Sequence, residues 1–310
     1  MAIPPTFTAF FRQNKIEIRR KAMNYKKVYP FYFLIIPLVL YVGLFILPSA
    51  MGLVLSFTDW NAMNDEIHFI GISHFKDIFT NSRYVIVIVN TLIFAVVTTV
   101  FKNVIGFSMA LALNKGFKTR NLLRTIFFFP VMLSPLIIGL VFKSIYNPQY
   151  GVVNEILRTI GLDVLAKDWL GNTATALGAV IAVEIWRLVG QNMVIYIAGL
   201  QAISEDYLEA ADIDGAGRFQ KLRYVIIPQM LPSITINLVL NLIAGLKVFD
   251  LVFVLTNGGP ARVTEVLNTL VYKEYSSGRY GFSTALGLIM FIFTCIAAFS
   301  VLKAMSKEED

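Results

Sequence analysis

Glu184 and Arg187 lie three residues apart inside a long apolar run, with Gln191 at the next helical repeat and Asn192 beside it. If the run is a helix, Glu184, Arg187 and Gln191 share one face. In the following run Asn237 and Asn241 stand at i, i+4, and Lys247 and Asp250 at i, i+3 toward its end. Charged groups in the middle of apolar runs are costly and usually functional. Carboxylate, guanidinium and amide groups together can hydrogen-bond a hydroxyl-rich solute, and Trp186 and Tyr196 are near enough to supply aromatic faces. The bland alternative is that Glu184 and Arg187 pair with each other and tie helices together. No constellation of catalytic or metal-ligating residues stands out: Asp212 to Gly215 has the start of a calcium loop but lacks the flanking carboxylates such a loop needs.

A second chemistry-bearing segment runs Ser204-Glu205-Asp206, then Glu209-Ala210-Ala211-Asp212-Ile213-Asp214-Gly215-Ala216, and on to Pro228 and Pro232. Ser204 can cap a helix whose first turn holds Glu205 and Asp206. Gly215 and Gly217 supply the backbone freedom to end it. Phe219, Leu222, Val225 and Ile226 give the next helical piece an apolar face. The alanine pair leaves a low surface on which another protein could pack closely.

The elements that carry these residues belong in a membrane. Of 310 residues 56% are hydrophobic and 15% charged, and the mean hydropathy is +0.67; an ordinary soluble domain carries about 25% charged residues. A helix needs roughly 20 apolar residues to cross a bilayer. Six runs qualify, over 31–57, 85–113, 122–145, 174–199, 229–254 and 282–303. Glu184 is then about ten residues, roughly 15 Å, into the fourth span. The second span holds Lys102 and Asn103 and is expected to run past the bilayer into the cytoplasm. Pro130 and Pro135 interrupt the third. The net charge of +7 does not argue for nucleic acid, because the basic residues fall mainly between the apolar runs. With the N-terminus inside, sixteen Lys and Arg fall on the inner segments, Lys303 at the end of the last run counted with the tail, and seven on the outer loops, so both termini are expected to be cytoplasmic. The first apolar run is too long for a secretory signal. Cys295, the single cysteine, cannot form an intrachain disulfide. The expected organisation is a basic segment over 1–30, an all-α, six-helix membrane domain over 31–303 with a cytoplasmic loop at about 200–225, and a tail over 304–310.

The loop resembles the signature of binding-protein-dependent ABC importer permeases: Glu-Ala-Ala, two residues, Asp-Gly-Ala, then an apolar stretch ending before a proline. The chain matches at Glu209, Ala210, Ala211, Asp214, Gly215 and Ala216, and Leu222, Val225 and Ile227 replace the more usual Phe, Ile and Leu. Thr256-Asn257-Gly258-Gly259-Pro260, Leu47-Pro48 and Ser56-Phe57-Thr58-Asp59-Trp60 are similar to the sugar-permease branch, specifically the maltose-type first permease, without its large external domain. The resemblance implies a type I importer permease fold in a bacterial inner membrane. It implies that the Glu209–Ala216 loop docks on an ATPase, and that Glu184, Arg187, Gln191, Asn192 and Asn241 line the pathway of a carbohydrate.

The chain has no Gly-x-x-x-x-Gly-Lys-Ser/Thr segment and so no P-loop for ATP. It is expected to be a non-enzymatic subunit that binds no cofactor. ATP and magnesium would sit on two partner ATPase subunits, and a second homologous permease and an extracytoplasmic binding protein would complete the assembly. Two alternatives stay open: an ion-coupled secondary sugar transporter, with Glu184 as its titratable group, and an importer of the same class carrying a glycerol-phosphate type cargo. Inverted repeats and broken helices, common in secondary transporters, are not evident in the sequence.

Overall fold

A computed structural model describes residues 32–63, 66–114, 116 and 118–306. The basic segment over 1–30 and the last residues of the tail lie outside them. The chain divides into two compact units, 1–54 and 55–310. The first contains nearly all of α1 (Tyr32–Leu55). This helix keeps Pro37 within it and widens to a π turn over Val42–Ile46. The turn lies just ahead of Pro48, whose ring would clash with the carbonyl four residues back, at Leu44. Winding i→i+5 there, with Leu47 N–H donating to the Val42 carbonyl, moves that carbonyl aside.

The second unit begins with α2 (Ser73–Thr80) and α3 (Ser82–Leu113). Next come α4 (Arg120–Met132), α5 (Pro135–Ile145), α6 (Val152–Thr159) and α7 (Ala176–Gln201). Then follow α8 (Glu205–Ile213), α9 (Arg218–Gln229) and α10 (Leu231–Leu246). The unit ends with α11 (Asp250–Leu255), α12 (Leu267–Ser276) and α13 (Tyr280–Ser306). Among the described residues the only β pairing is one isolated bridge, Thr58 to Phe69. Among the described residues four helices, α1, α3, α7 and α13, are each long and apolar enough to cross a membrane, and there are up to six spans if two bent pairs count as one each.

One bend falls within the 122–145 run, at the interruption that Pro130 and Pro135 mark, and the other at the entrance of the 229–254 run, between Pro228 and Pro232. α4 and α5 meet at 99°. Phe129–Met132 tighten into a 3-10 turn, Leu133 and Ser134 are extended, and Ser134 caps α5 through its Oγ while Pro135 starts it. A residue before proline is driven out of the helical region, so two prolines five apart impose a corner. α9 and α10 meet at 68°. α9 has its own π turn, Leu222–Ile226, just ahead of Pro228. The fifth run also stops early. Lys247 leaves helical geometry and Phe249 has φ −140°, so α11 is a separate short helix. Lys247 and Asp250 therefore do not share a helical face. Asn268 Nδ2 donates to the Lys247 carbonyl at 2.9 Å, satisfying a group that the helix end leaves open.

α3, α7 and α10 form the centre of the second unit, with α13 against α10 and α12. Small residues set their spacing. A Cβ on Gly106 of α3 would stand 2.6 Å from the Asn192 Cβ of α7, and one on Gly245 of α10 would stand 2.7 Å from the Ala95 Cα of α3. In lipid, where apolar contact gives little advantage to helix association, such close backbone approach is what holds helices together. Around this centre Phe94, Val180 and Val252 fill one core, Met193, Tyr196 and Met230 a second, and Ile78, Leu270 and Phe282 a third.

Candidate translocation and coupling sites

α7 delivers Glu184 and Arg187 to one side of the bundle. Glu184 is 2% exposed. Arg187 grips it with two nitrogens: Nε donates to Oε2 at 3.1 Å, and a terminal nitrogen donates to Oε1 at 3.0 Å and to Oε2 at 2.9 Å. The bidentate fork suits a low-dielectric setting, where each charge needs full compensation. The pair borders a cavity of about 240 Å³ that also touches Pro135, Lys247 and Asp250. The breaks before α5 and after α10 thus bring chain ends, rather than continuous helix, to this cavity. Lys247 and Asp250 reach it from the α10–α11 break although they are not on one helix face.

One turn further along α7, Asn192 and Asn241 of α10 exchange hydrogen bonds, at 3.4 Å and 2.5 Å. Each amide also bonds a carbonyl of its own helix, Leu188 at 3.1 Å and Asn237 at 2.7 Å. The Tyr196 hydroxyl donates to Asn103 Oδ1 at 2.5 Å, joining α7 to α3. Gln191 stands apart from this seam, exposed on another face of α7. Of the five pathway candidates, then, Glu184 and Arg187 share a cavity, Asn192 and Asn241 share a buried pair, and Gln191 joins neither.

The loop after α7 is a compact knuckle. Ser204 Oγ accepts from Asp206 N–H at 3.3 Å and caps α8, with Glu205 and Asp206 in its first turn. Gly215 ends it at φ +75°. The Gly215 and Ala216 amides then reach back to the Asp212 and Ala211 carbonyls, a Schellman closure that a left-handed residue makes possible. Lys221 of α9 pairs with Asp212 of α8, tying the two arms together. Ala211 is buried against the knuckle, whereas Glu209, Ala210, Asp214 and Gly215 face outward.

The profile of the family described as binding-protein-dependent transport system inner membrane component matches residues 102–308. The chain belongs to that family. It is a transport permease subunit of an ABC importer and not an enzyme. This permease is 36% identical over 291 residues to the multiple sugar-binding transport system permease protein MsmF of Streptococcus mutans, covering 94% of this chain and 99% of that one. It is 30% identical to the trehalose/maltose transport system permease protein MalF of Thermococcus litoralis, over 87% and 91% of the two chains. Its fold matches a chain of a bacterial alginate ABC transporter crystallised with an alginate-bound periplasmic protein. There the TM-score is 0.80 at 24% identity, over 94% of this chain and 98% of that one. The α4–α5 and α9–α10 breaks are the kind of feature whose apparent absence from the sequence weighed against an ion-coupled transporter. Family membership, not helix continuity, excludes that alternative.

Three features of the permease escape a reading of the sequence. Lys102 is enclosed by the bundle: it is 0% exposed, its Nζ has no hydrogen-bond partner, and the charges that act on it are Glu184 and Arg187. Its position on the α3 face bearing Thr98, Thr99 and Gly106, rather than its depth in the run, is the signal that could have found it. Ile213 is 86% exposed at the knuckle tip, and Phe219 and Tyr207 are exposed nearby. Phe219 thus departs from the apolar face expected of α9, while Ile226 packs inward. The third is the loop after α11. Asn257, Ala261 and Arg262 all have positive φ, and the Thr256 and Thr264 hydroxyls bond to each other at 2.7 Å.

Proposed function

We propose that this permease passes a sugar or oligosaccharide through the membrane, and that Glu184, Arg187, Asn192 and Asn241 mark its path. The carrying observation is the cavity beside the Glu184–Arg187 pair, where a buried ion pair, a nearby cation and anion, and broken helix ends meet. Glu184 and Asp250 balance Arg187 and Lys247 there, which suits a neutral polyhydroxyl cargo better than a glycerol-phosphate, whose charge two carboxylates would oppose. The sugar cargoes in the names of the similar permeases support the same reading.

In this reading a second homologous permease completes the pathway, two ATPase subunits bind ATP with magnesium, and an extracytoplasmic binding protein delivers the cargo. The Glu209–Ala216 knuckle docks on one ATPase, with exposed Ile213 and Ala210 as its apolar contact. Both termini lie in the cytoplasm, the basic 1–30 segment and the 304–310 tail flanking a membrane domain over 31–303. Gln191, exposed on α7, enters the path on the side a second permease would face.

The test is uptake into proteoliposomes containing the purified assembly, with labelled maltose and trehalose outside and ATP inside. Accumulation that needs both ATP and a binding protein is expected. Accumulation that persists without ATP but collapses with an ion gradient would overturn the driving mechanism. Glu184→Gln, Arg187→Ala and Asn241→Ala that all transport normally with unchanged selectivity would overturn the path.

A further inference from the structure

Between the first turn of α3, the loop after α11 and α12 lies a cavity of about 530 Å³. It is at the opposite end of α3 and α7 from the coupling knuckle. Arg83, Arg262, Lys273 and Arg279 line it together with Glu265 and Glu274. Glu265 is 1% exposed, far below what a carboxylate tolerates without full pairing. Its Oε1 accepts from Lys273 Nζ at 2.6 Å. Its Oε2 has no hydrogen-bond partner, and neither does a terminal nitrogen of Arg262, although the two stand 3.4 Å apart as an ion pair.

The backbone holds this arrangement against its own preference. Arg262 has φ +67°, a region that non-glycine residues occupy at a cost. Asn90 of α3 clamps it, donating through Nδ2 to the Arg262 carbonyl at 2.9 Å and to the Glu265 carbonyl at 3.2 Å. Thr91 Oγ1 accepts from the Leu267 amide at 2.9 Å. Retained strain of this kind clusters at binding sites.

An unused acceptor beside an unused donor fits a group that is both donor and acceptor. A hydroxyl accepts from the Arg262 nitrogen and donates to Glu265 Oε2. An ammonium would leave the guanidinium nitrogen without an acceptor, and a carboxylate or phosphate would leave Glu265 without a donor and face its charge. Past Ser277 and Arg279, which line both chambers, a second cavity of about 370 Å³ is bounded by Trp60, His74 and Phe282. A polar chamber opening beside an aromatic wall matches a sugar ring, with its hydroxyl rim and apolar faces, better than it matches a protein side chain.

We propose that this chamber is a carbohydrate subsite in which one sugar hydroxyl bridges Arg262 and Glu265 before the cargo reaches the Glu184–Arg187 cavity. The proposal rests on the cargo being a carbohydrate.

The experiment uses the whole assembly in nanodiscs, without its binding protein, carrying Cys295→Ser and a reporter, Ala261→Cys, on the cavity wall. The rate of alkylation by N-ethylmaleimide is measured with and without millimolar maltose or trehalose, using whichever the assembly accumulates in the uptake test. The expected result is a severalfold slower reaction with sugar. Arg262→Lys and, as a shape-preserving second variant, Glu265→Gln are expected to abolish that protection while the assembly still elutes intact on size exclusion. Equal rates with and without an accumulated sugar would mean that water alone bridges the pair and would overturn the subsite. In a separate arm the binding protein is added back without sugar; slowing there, with none by sugar alone, would overturn it in favour of a protein contact. An assembly that accumulates neither sugar removes the cargo reading for both, and the subsite with it.

Discussion

Asn192 on α7 and Asn241 on α10 satisfy each other inside the bundle, each amide donating to the other's oxygen and to its own helix. Replacing either leaves the other's amide oxygen buried without a donor, while its nitrogen keeps the carbonyl of its own helix. Each single alanine variant is expected to lose about 1–3 kcal/mol of stability. The pairwise coupling from a double-mutant cycle is expected near 0.6 kcal/mol and no higher than about 1.7, the range seen for hydrogen bonds between membrane helices. Denaturant-dependent unfolding in detergent measures both. A coupling of zero would mean that the two amides act independently.

Glu184 and Arg187 differ in what their loss exposes. Arg187→Ala strands a buried carboxylate, which costs about 3–5 kcal/mol when a partner is removed, with Lys102 and the cavity-lining Lys247 left as the nearby cations. Replacing both with Gln removes the charges together and is expected to restore much of the yield of folded assembly. Size-exclusion recovery after heating compares the single and double variants. Equal loss in both would place the cost in packing rather than in charge.

Gly215→Ala tests the knuckle. At φ +75° a side chain costs about 1–2 kcal/mol, enough to loosen the end of α8 without unfolding the bundle. Transport is expected to fall several-fold while the ATPase subunits continue to hydrolyse ATP, so the ratio of sugar moved to ATP consumed drops. Ile213→Asp, at an exposed tip with no packing to lose, is expected to weaken copurification of the ATPase instead. A normal ratio in the first and normal copurification in the second would remove the knuckle from coupling.

His74, in the short helix α2, is held neutral. Burial pushes its pKa below the usual 6.5, and Arg279 pushes the same way. A hydrogen bond to the Thr58 carbonyl at 3.0 Å and the charges of Asp77 and Asp59 oppose them. With the folded value below the unfolded one, the unfolded chain binds the proton first. Stability is therefore unaffected well above pH 6.5, declines as the pH falls through 6.5 toward the folded value, and levels off below it. His74→Gln is expected to flatten that decline. Melting temperature across the acidic range is the measurement, and an unchanged slope would assign it to other groups.

The sequence made much of this legible because the relevant forces act locally. Ser204, Glu205 and Gly215 cap and close α8 through neighbours within a few residues, so the loop was readable as a helix, a turn and a second helix. The apolar runs located the spans. What was not legible depends on partners distant in the chain. Lys102 looks like an overhanging cation until α7 is laid against Gly106. Gln191 keeps the Glu184 face of α7 two turns on, but that face is buried at Glu184 and exposed at Gln191, a difference set by which neighbours pack there. The corner at Pro130 and Pro135 was marked by its residues but its size was not, because two prolines specify a break and the surrounding helices set its angle. Glu265 carried no signal at all, since its burial arises from a loop folded back on α3 by Asn90.

The two π turns have a further consequence for how this chain can vary. Each holds one residue more than an α turn in the same axial length, so the residues after it are rotated by about 100° relative to an uninterrupted helix. A single-residue deletion within 222–226 would let α9 rewind as ordinary helix at that turn, at the cost of bringing the Pro228 ring against the carbonyl four residues back. The deletion would be taken up where it occurs, and Asn237 and Asn241 would keep facing α7. The same deletion within α10 would swing every side chain beyond it onto the wrong face. The widened turn is thus a place where the length of the chain can change by one residue while the pathway it leads into stays in register.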